Sequence, residues 1–142
     1  MDETIVSAVQ KHLNAWPGKP CDITLEDMTR KPSSFSIVLQ QLSGTVVERR
    51  YIDGSFIGLW PFAVYIRFSA RDTGKHIKAS KYYNELESYL KSATLPELDE
   101  GRTASSIEMS SLPSVAGVYE DGSTDYQAIF GMRYTSRSKR LG

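Results

Sequence analysis

Phe62, Val64, Ile66 and Phe68 stand two residues apart, with Tyr65 and Arg67 between them. That period is the mark of a strand with one buried and one open face, and here it belongs to a long strand over Ser55 to Ser69. The same alternation sets Phe35, Ile37 and Leu39 against Ser36, Val38 and Gln40. Thr45 to Tyr51 is a further strand, rich in β-branched residues. Ile52-Asp53-Gly54 then carries the Asp-Gly signal of a tight hairpin, because glycine tolerates a positive φ. A chain holding such a hairpin, over 44–70, must build a largely antiparallel sheet and cover its apolar face. Pro61 cannot donate to a ladder, so a bulge or a sheet edge is expected there.

Two helical patterns supply the cover. Ile5, Val6, Val9, Leu13 and Trp16 share one face of a helix over 3–15, which Pro17 and Gly18 end. Residues 17–34 include Pro17, Pro20 and Pro32 and read as a loop. A second helix over 73–91, capped by Asp72 or Thr73, buries Ile77, Ala79, Tyr82, Tyr83, Leu86, Tyr89 and Leu90. Thr94-Leu95-Pro96 stops it, and residues 97–104 are expected to form a mobile polar loop. Ile107 and Met109 point inward from a short strand, which Pro113 separates from another over Val115 to Tyr119. Glu120-Asp121-Gly122-Ser123 turns the chain, and Tyr126, Ala128, Phe130, Met132 and Tyr134 alternate in a last strand.

The reading is one α+β domain over 1–142: a helix, three strands (34–69), a helix, three strands (105–134) and a basic flexible tail (135–142). The sheet is mostly antiparallel, of about six strands, with both amphipathic helices packed on one face. Helix plus three strands occurs twice, yet no internal repeat is sharp among the residues themselves.

A 142-residue chain can bury roughly two-thirds of its unfolded surface, enough for a core without metal or disulfide. Seventeen basic residues balance seventeen acidic ones, which argues against a dedicated nucleic-acid binder. After Asp125 there is no acid, while Arg133, Arg137, Lys139 and Arg140 follow. That end reads either as a solvated tail or as an arm for an acidic partner. Cys21 is the only cysteine, so no intrachain disulfide or cysteine metal cage can form, and it reads as a small, partly buried apolar residue. The N-terminus lacks a signal-peptide pattern, and no apolar run approaches the roughly 20 residues that cross a bilayer. A cytosolic protein, or one packed into something assembled in the cytosol, is expected.

Catalytic and metal-binding patterns fail one by one. His12 and His76 lie in different predicted helices, not on one helix face as a zinc pair would. Asp72-Thr73-Gly74 matches the aspartic-protease tripeptide, but such enzymes need two carboxylates sharing a proton, and one copy at a helix start reads as a cap. Gly74-Lys75 lacks the rest of a phosphate loop. Asp121 and Asp125 flank a turn without calcium-loop spacing. No enzyme activity and no cofactor are expected. Arg49, Arg50, Tyr51, Phe56, Trp60, Tyr65 and Arg67 mix arginine with aromatics, which suits either single-stranded nucleic acid or a protein interface. The zero net charge favours protein.

Several runs carry a family likeness: Gln40-Gln41-Leu42-Ser43-Gly44, Glu48-Arg49-Arg50-Tyr51-Ile52-Asp53-Gly54-Ser55 and Trp60-Pro61-Phe62. Ile107-Glu108, Pro113, Glu120-Asp121-Gly122 and Asp125-Tyr126-Gln127-Ala128-Ile129-Phe130 extend it, so that it spans roughly residues 35 to 134. The chain resembles the tail-terminator, or minor capsid, proteins of long-tailed (siphovirus-type) bacteriophages and prophages. The resemblance implies a subunit that closes into a hexameric ring on the finished tail tube, with no active site. Its partners would be copies of itself, the tail tube protein and a head completion or connector protein. DNA would only pass through the lumen, and no membrane is involved. The protein would reside in the virion at the head–tail interface, after assembly in the bacterial cytoplasm. Ring or tube contacts are expected from Arg49, Arg50, Tyr51, Phe56 and Trp60 of the hairpin and from Arg133, Arg137, Lys139 and Arg140 of the basic end. Another connector or tube component, and a nucleic-acid factor using the Arg and aromatic hairpin, are the competing expectations.

Overall fold

The computed structural model describes residues 3–25, 35–42, 46–92, 94–96, 98 and 101–137. Its elements follow in the order α1 (Glu3–Asn14), β1 (Ile23–Leu25), β2 (Ser36–Gln41), β3 (Val46–Arg50), β4 (Phe56–Phe68), α2 (Lys75–Ser92), β5 (Arg102–Val118) and β6 (Thr124–Ser136). The fold is α+β, as expected. Its six strands form one sheet in the order β1-β2-β4-β6-β5, with β3 on β4, and all pairings are antiparallel except β1 with β2. Ile5, Val9 and Leu13 of α1 and Ala79, Tyr83, Leu86 and Leu90 of α2 pack over one face of the sheet. There they meet Trp60, Phe62, Val64, Ile66 and Phe68, together with the even-numbered residues of β6 from Tyr126 to Tyr134. No helix among the described residues covers the other face.

Several expectations need correction. The segment read as a loop over 17–34 contains β1, parallel to β2. Asn14, at the end of α1, acts there as a surrogate strand: its Oδ1 accepts from the Ile23 amide at 2.9 Å and its Nδ2 donates to the Ile23 carbonyl at 3.0 Å. Pro61 marks neither a bulge nor an edge, because β4 is central and Pro61 pairs in register with Gly131 of β6. Its carbonyl accepts from the Leu42 amide, so its nitrogen, on the same side of the strand, faces the break between β2 and β3 where no acceptor is needed. The strands expected on either side of Pro113 are one strand of 17 residues, and the start of the expected mobile loop's last part, 102–104, already belongs to it. Asp72 does not cap α2, which begins at Lys75; its carboxylate holds Lys78 instead. Of the basic tail, Ser136 ends β6 and the Arg137 amide donates to the Gly101 carbonyl, while Lys139 and Arg140 lie outside the described residues.

β5 needs 17 residues to span the 13 of β6 because its register slips by one residue at four places, between Ala104 and Ser106, Met109 and Ser111, Ser111 and Ser114, and Val115 and Gly117. A bulge reverses which side a side chain takes. The slips therefore put Ile107, Val115 and Val118, opposite Met132, Tyr126 and Thr124, on the helix-bearing face despite their uneven spacing.

The architecture is a duplication that the residues largely conceal. β4 and β6 each have 13 residues and pair end to end, Phe56 opposite Ser136 and Phe68 opposite Thr124. A shift of 68 positions carries Phe56 to Thr124 and Phe68 to Ser136, and carries Tyr51-Ile52-Asp53-Gly54-Ser55 onto Tyr119-Glu120-Asp121-Gly122-Ser123. An approximate two-fold axis thus runs through the sheet between Phe62 and Phe130, which pair with each other and stack at 5.5 Å and 13°. It exchanges the hairpin β3–β4 with the hairpin β5–β6 and places their turns at opposite ends of the sheet.

Candidate functional site

The two turns have the same construction. The Tyr51 amide donates to the Ser55 carbonyl at 2.8 Å, and the Tyr119 amide to the Ser123 carbonyl at 2.9 Å. Asp53 Oδ1 accepts from the Ser55 amide and hydroxyl at 2.9 and 2.6 Å, and Asp121 Oδ1 accepts from those of Ser123 at 2.9 and 2.7 Å. Gly54 and Gly122 take φ of 93° and 90°, a region that favours glycine. For Asp121 the Ser123 bonds lower the carboxyl pKa, which keeps the acceptor ionised. Each Asp-Gly-Ser is thus a rigid hairpin end and not a cation loop. No cluster that could hold a metal occurs among the described residues.

Beyond this common frame the two ends differ. All five residues of β3 are exposed, since the strand overhangs the core and pairs with β4 alone. A bulge at Glu48 turns its carboxylate toward β6, where Arg133 Nε meets Oε1 at 2.7 Å and Nη2 meets Oε2 at 3.3 Å. This pair crosses over β4 and ties the overhanging strand down. Arg49 and Arg50 take opposite faces, opposite Ile57 and Phe56. The Arg50 guanidinium lies 5.4 Å from the Phe56 ring centroid, and Phe56 in turn meets Tyr134 edge-on at 6.2 Å. Tyr51 and Ile52 stand open at the tip.

At the other end Tyr119 is held. Asp125 receives Arg67 Nε at 2.6 Å and Nη2 at 2.9 Å, and it accepts the Tyr119 hydroxyl at 2.7 Å. The Arg67 guanidinium also lies 5.1 Å from the Tyr119 ring centroid. The Asp125 hydrogen bond, burial and the negative charge all raise the Tyr119 pKa. Arg67 and Asp125 are buried on the face without helices, so the pair is an internal fastening and not a charge offered to a ligand. This settles Asp125 as a partner of Arg67.

Of the residues expected at an interface, Arg49, Arg50, Tyr51 and Arg137 are exposed, while Phe56 and Arg133 are partly buried against their partners. Trp60 is the correction: it is fully buried, 5.2 Å from Phe62 in the helix-covered core, because its even position in β4 points inward. The hairpin gathers Arg49, Arg50, Tyr51 and Phe56 at one corner, with Arg133 bridged to it. Unanticipated is the outer half of β5, where Leu112, Val115 and Val118 are exposed. The apolar letters were visible in the sequence, but only the bulges tell which face they take.

Depressions elsewhere offer little chemistry. One is lined by Ala8, Lys11, His12, Ala15 and Pro96, with the His12 Nε2 buried and without a protein partner. Burial holds the His12 imidazole below its ordinary value of 6.5, and the ring lies tilted at 31° to Tyr89, with centroids 5.3 Å apart. Lys11 is the other titratable residue among those lining the depression. No described helix is long and apolar enough to cross a membrane. No protein-family model matches this chain, and a search of curated proteins gives no significant match.

Proposed function

We propose that this protein is a tail terminator of a long-tailed bacteriophage. Identical subunits form a ring that caps the tail tube, ends its polymerisation and offers the head connector a docking surface. The observation that carries the reading is the β3–β4 hairpin, which reaches past the core with every β3 side chain exposed. It holds Arg49, Arg50 and Tyr51 within the run Glu48 to Ser55 that resembles the family. A ring needs a rigid subunit with two different surfaces whose rotation closes. The six-strand sheet supplies the rigid body, and the pinned overhang supplies one surface. With a net charge of zero the protein suits a lumen through which DNA passes without being held.

The test is native mass spectrometry of the purified protein over a concentration series, with negative-stain images of the same samples. Closed hexamers are expected, and long open stacks would assign the chain to the tube instead. Reversing both charges (Arg49→Glu with Arg50→Glu) is expected to abolish rings, on free protein and on purified tail tubes, while leaving the melting temperature in place. Both side chains are exposed, so a normal ring from that variant would count against the assignment.

A further inference from the structure

Nearly all of the large apolar side chains that the described residues leave exposed belong to two places. Val46, Val47, Tyr51 and Ile52 lie along β3 and its turn; Leu112, Val115, Val118 and Tyr119 lie along the outer half of β5 and its turn; Leu42, just past β2, and Ile77 are the exceptions. Surface apolar residues scattered singly need no explanation, but two strips on opposite edges of one sheet do. The duplication accounts for their placement. The same 68-position shift carries Val46–Arg50 onto Ser114–Val118, so the strips occupy equivalent positions about the pseudo-two-fold axis, at diagonally opposite corners.

We infer that β3 of one copy packs against the outer half of β5 of a second copy, head to tail, through Val46 and Val47 on one side and Leu112 and Val115 on the other. The inference rests on the ring reading and names its contact. Direction allows it. β3 and β5 each run antiparallel to a neighbour in an antiparallel pair, so the two free edges run in opposite senses and meet antiparallel when copies follow one another around a ring.

Charge selects the occupant. β3 ends on Arg49 and Arg50, while from Thr103 to Thr124 there is no lysine or arginine, and Glu108, Glu120 and Asp121 stand exposed, Glu108 with its Oε1 3.9 Å from Arg133 Nη1. Glu48 is taken up by Arg133 of its own chain, so contact between two β3 strands would offer Arg49 and Arg50 no acid, and contact between two outer β5 strands would bring acids alone. Only the mixed pairing joins opposite signs. Arg49 and Glu108, opposite Ile57 and Gly131, lie on the same helix-free face, whereas Val47 and Val115, opposite Gly58 and Tyr126, lie on the helix-bearing one. Pro113 and the bulges of β5 spoil a regular row of backbone donors, which guards that edge against indiscriminate strand addition. Side chains therefore decide what it accepts.

Two proteins, Val47→Cys and Val115→Cys, each in a Cys21→Ser background, are mixed at the highest attainable concentration under mild oxidation. A covalent dimer containing one copy of each is expected, and little from either protein alone. Arg49→Glu in the first protein, which sets an acid against a strip that carries acids and no base, is expected to slow the cross-link severalfold, and raising the salt concentration to narrow the difference. Dimers of the Val47→Cys protein with itself would overturn the inference in favour of a symmetric contact. Closed rings without the mixed cross-link would overturn it and leave the ring reading standing. Monomers without the cross-link would overturn it too, and the ring reading would then be decided on tail tubes.

Discussion

Arg67 sits in the middle of an apolar strand and would be costly there alone. It is stable because Asp125, directly opposite on β6, takes both of its inner donors and Tyr119 closes the third side. Arg67→Met leaves a buried carboxylate and is expected to cost about 3 kcal/mol in urea unfolding, while Arg67→Met with Asp125→Leu costs much less than the two single changes together. His12 gives a pH signature. Burial lowers its folded pKa below 6.5, so as pH falls the unfolded chain takes up the proton first, and stability is lost from about pH 6.5 down to the folded value. His12→Gln should flatten the fall in melting temperature over that window, and an unchanged slope would show that the ring is solvated. The periodicity of β4 predicts that Arg67 faces away from Phe62 and Phe68. Its partner lies 58 positions away and has no local signal.

At the level of elements, the hairpin over β3 and β4 follows from alternation and Asp-Gly, both of which act within a few residues. β1 does not, because three residues gain strand geometry only from β2 beside them and Asn14 above. Pro113 is a sound local reason to divide β5, yet the proline sits where the register slips, and the strand continues. Overhang also predicts unequal stability within one sheet. Amides of Val46–Arg50 are expected to exchange with solvent about a hundredfold faster than those of β4 and β6 around Phe62 and Phe130. Arg133→Ala removes the Glu48 bridge and should speed β3 further without affecting the centre; equal rates throughout would show that the hairpin is part of the core.

For the whole molecule, the pseudo-two-fold axis is the organising fact. It gives a single chain two like overhangs with different charge, which is what a head-to-tail contact requires. If the overhangs meet, oligomer formation is expected to weaken as salt rises, since Arg49 and Arg50 are exposed, and sedimentation at low and high ionic strength would show it. The sequence by itself determined the strand and helix periods, the hairpin ends and the single core, because these depend on spacing along the chain and on turn chemistry. Tertiary structure alone decided that the two halves are equivalent, that Trp60 is core, that Arg67 meets Asp125, and that Leu112, Val115 and Val118 remain uncovered. Each of those depends on which distant strand lies alongside and in what register, and a one-residue slip is enough to exchange buried for exposed.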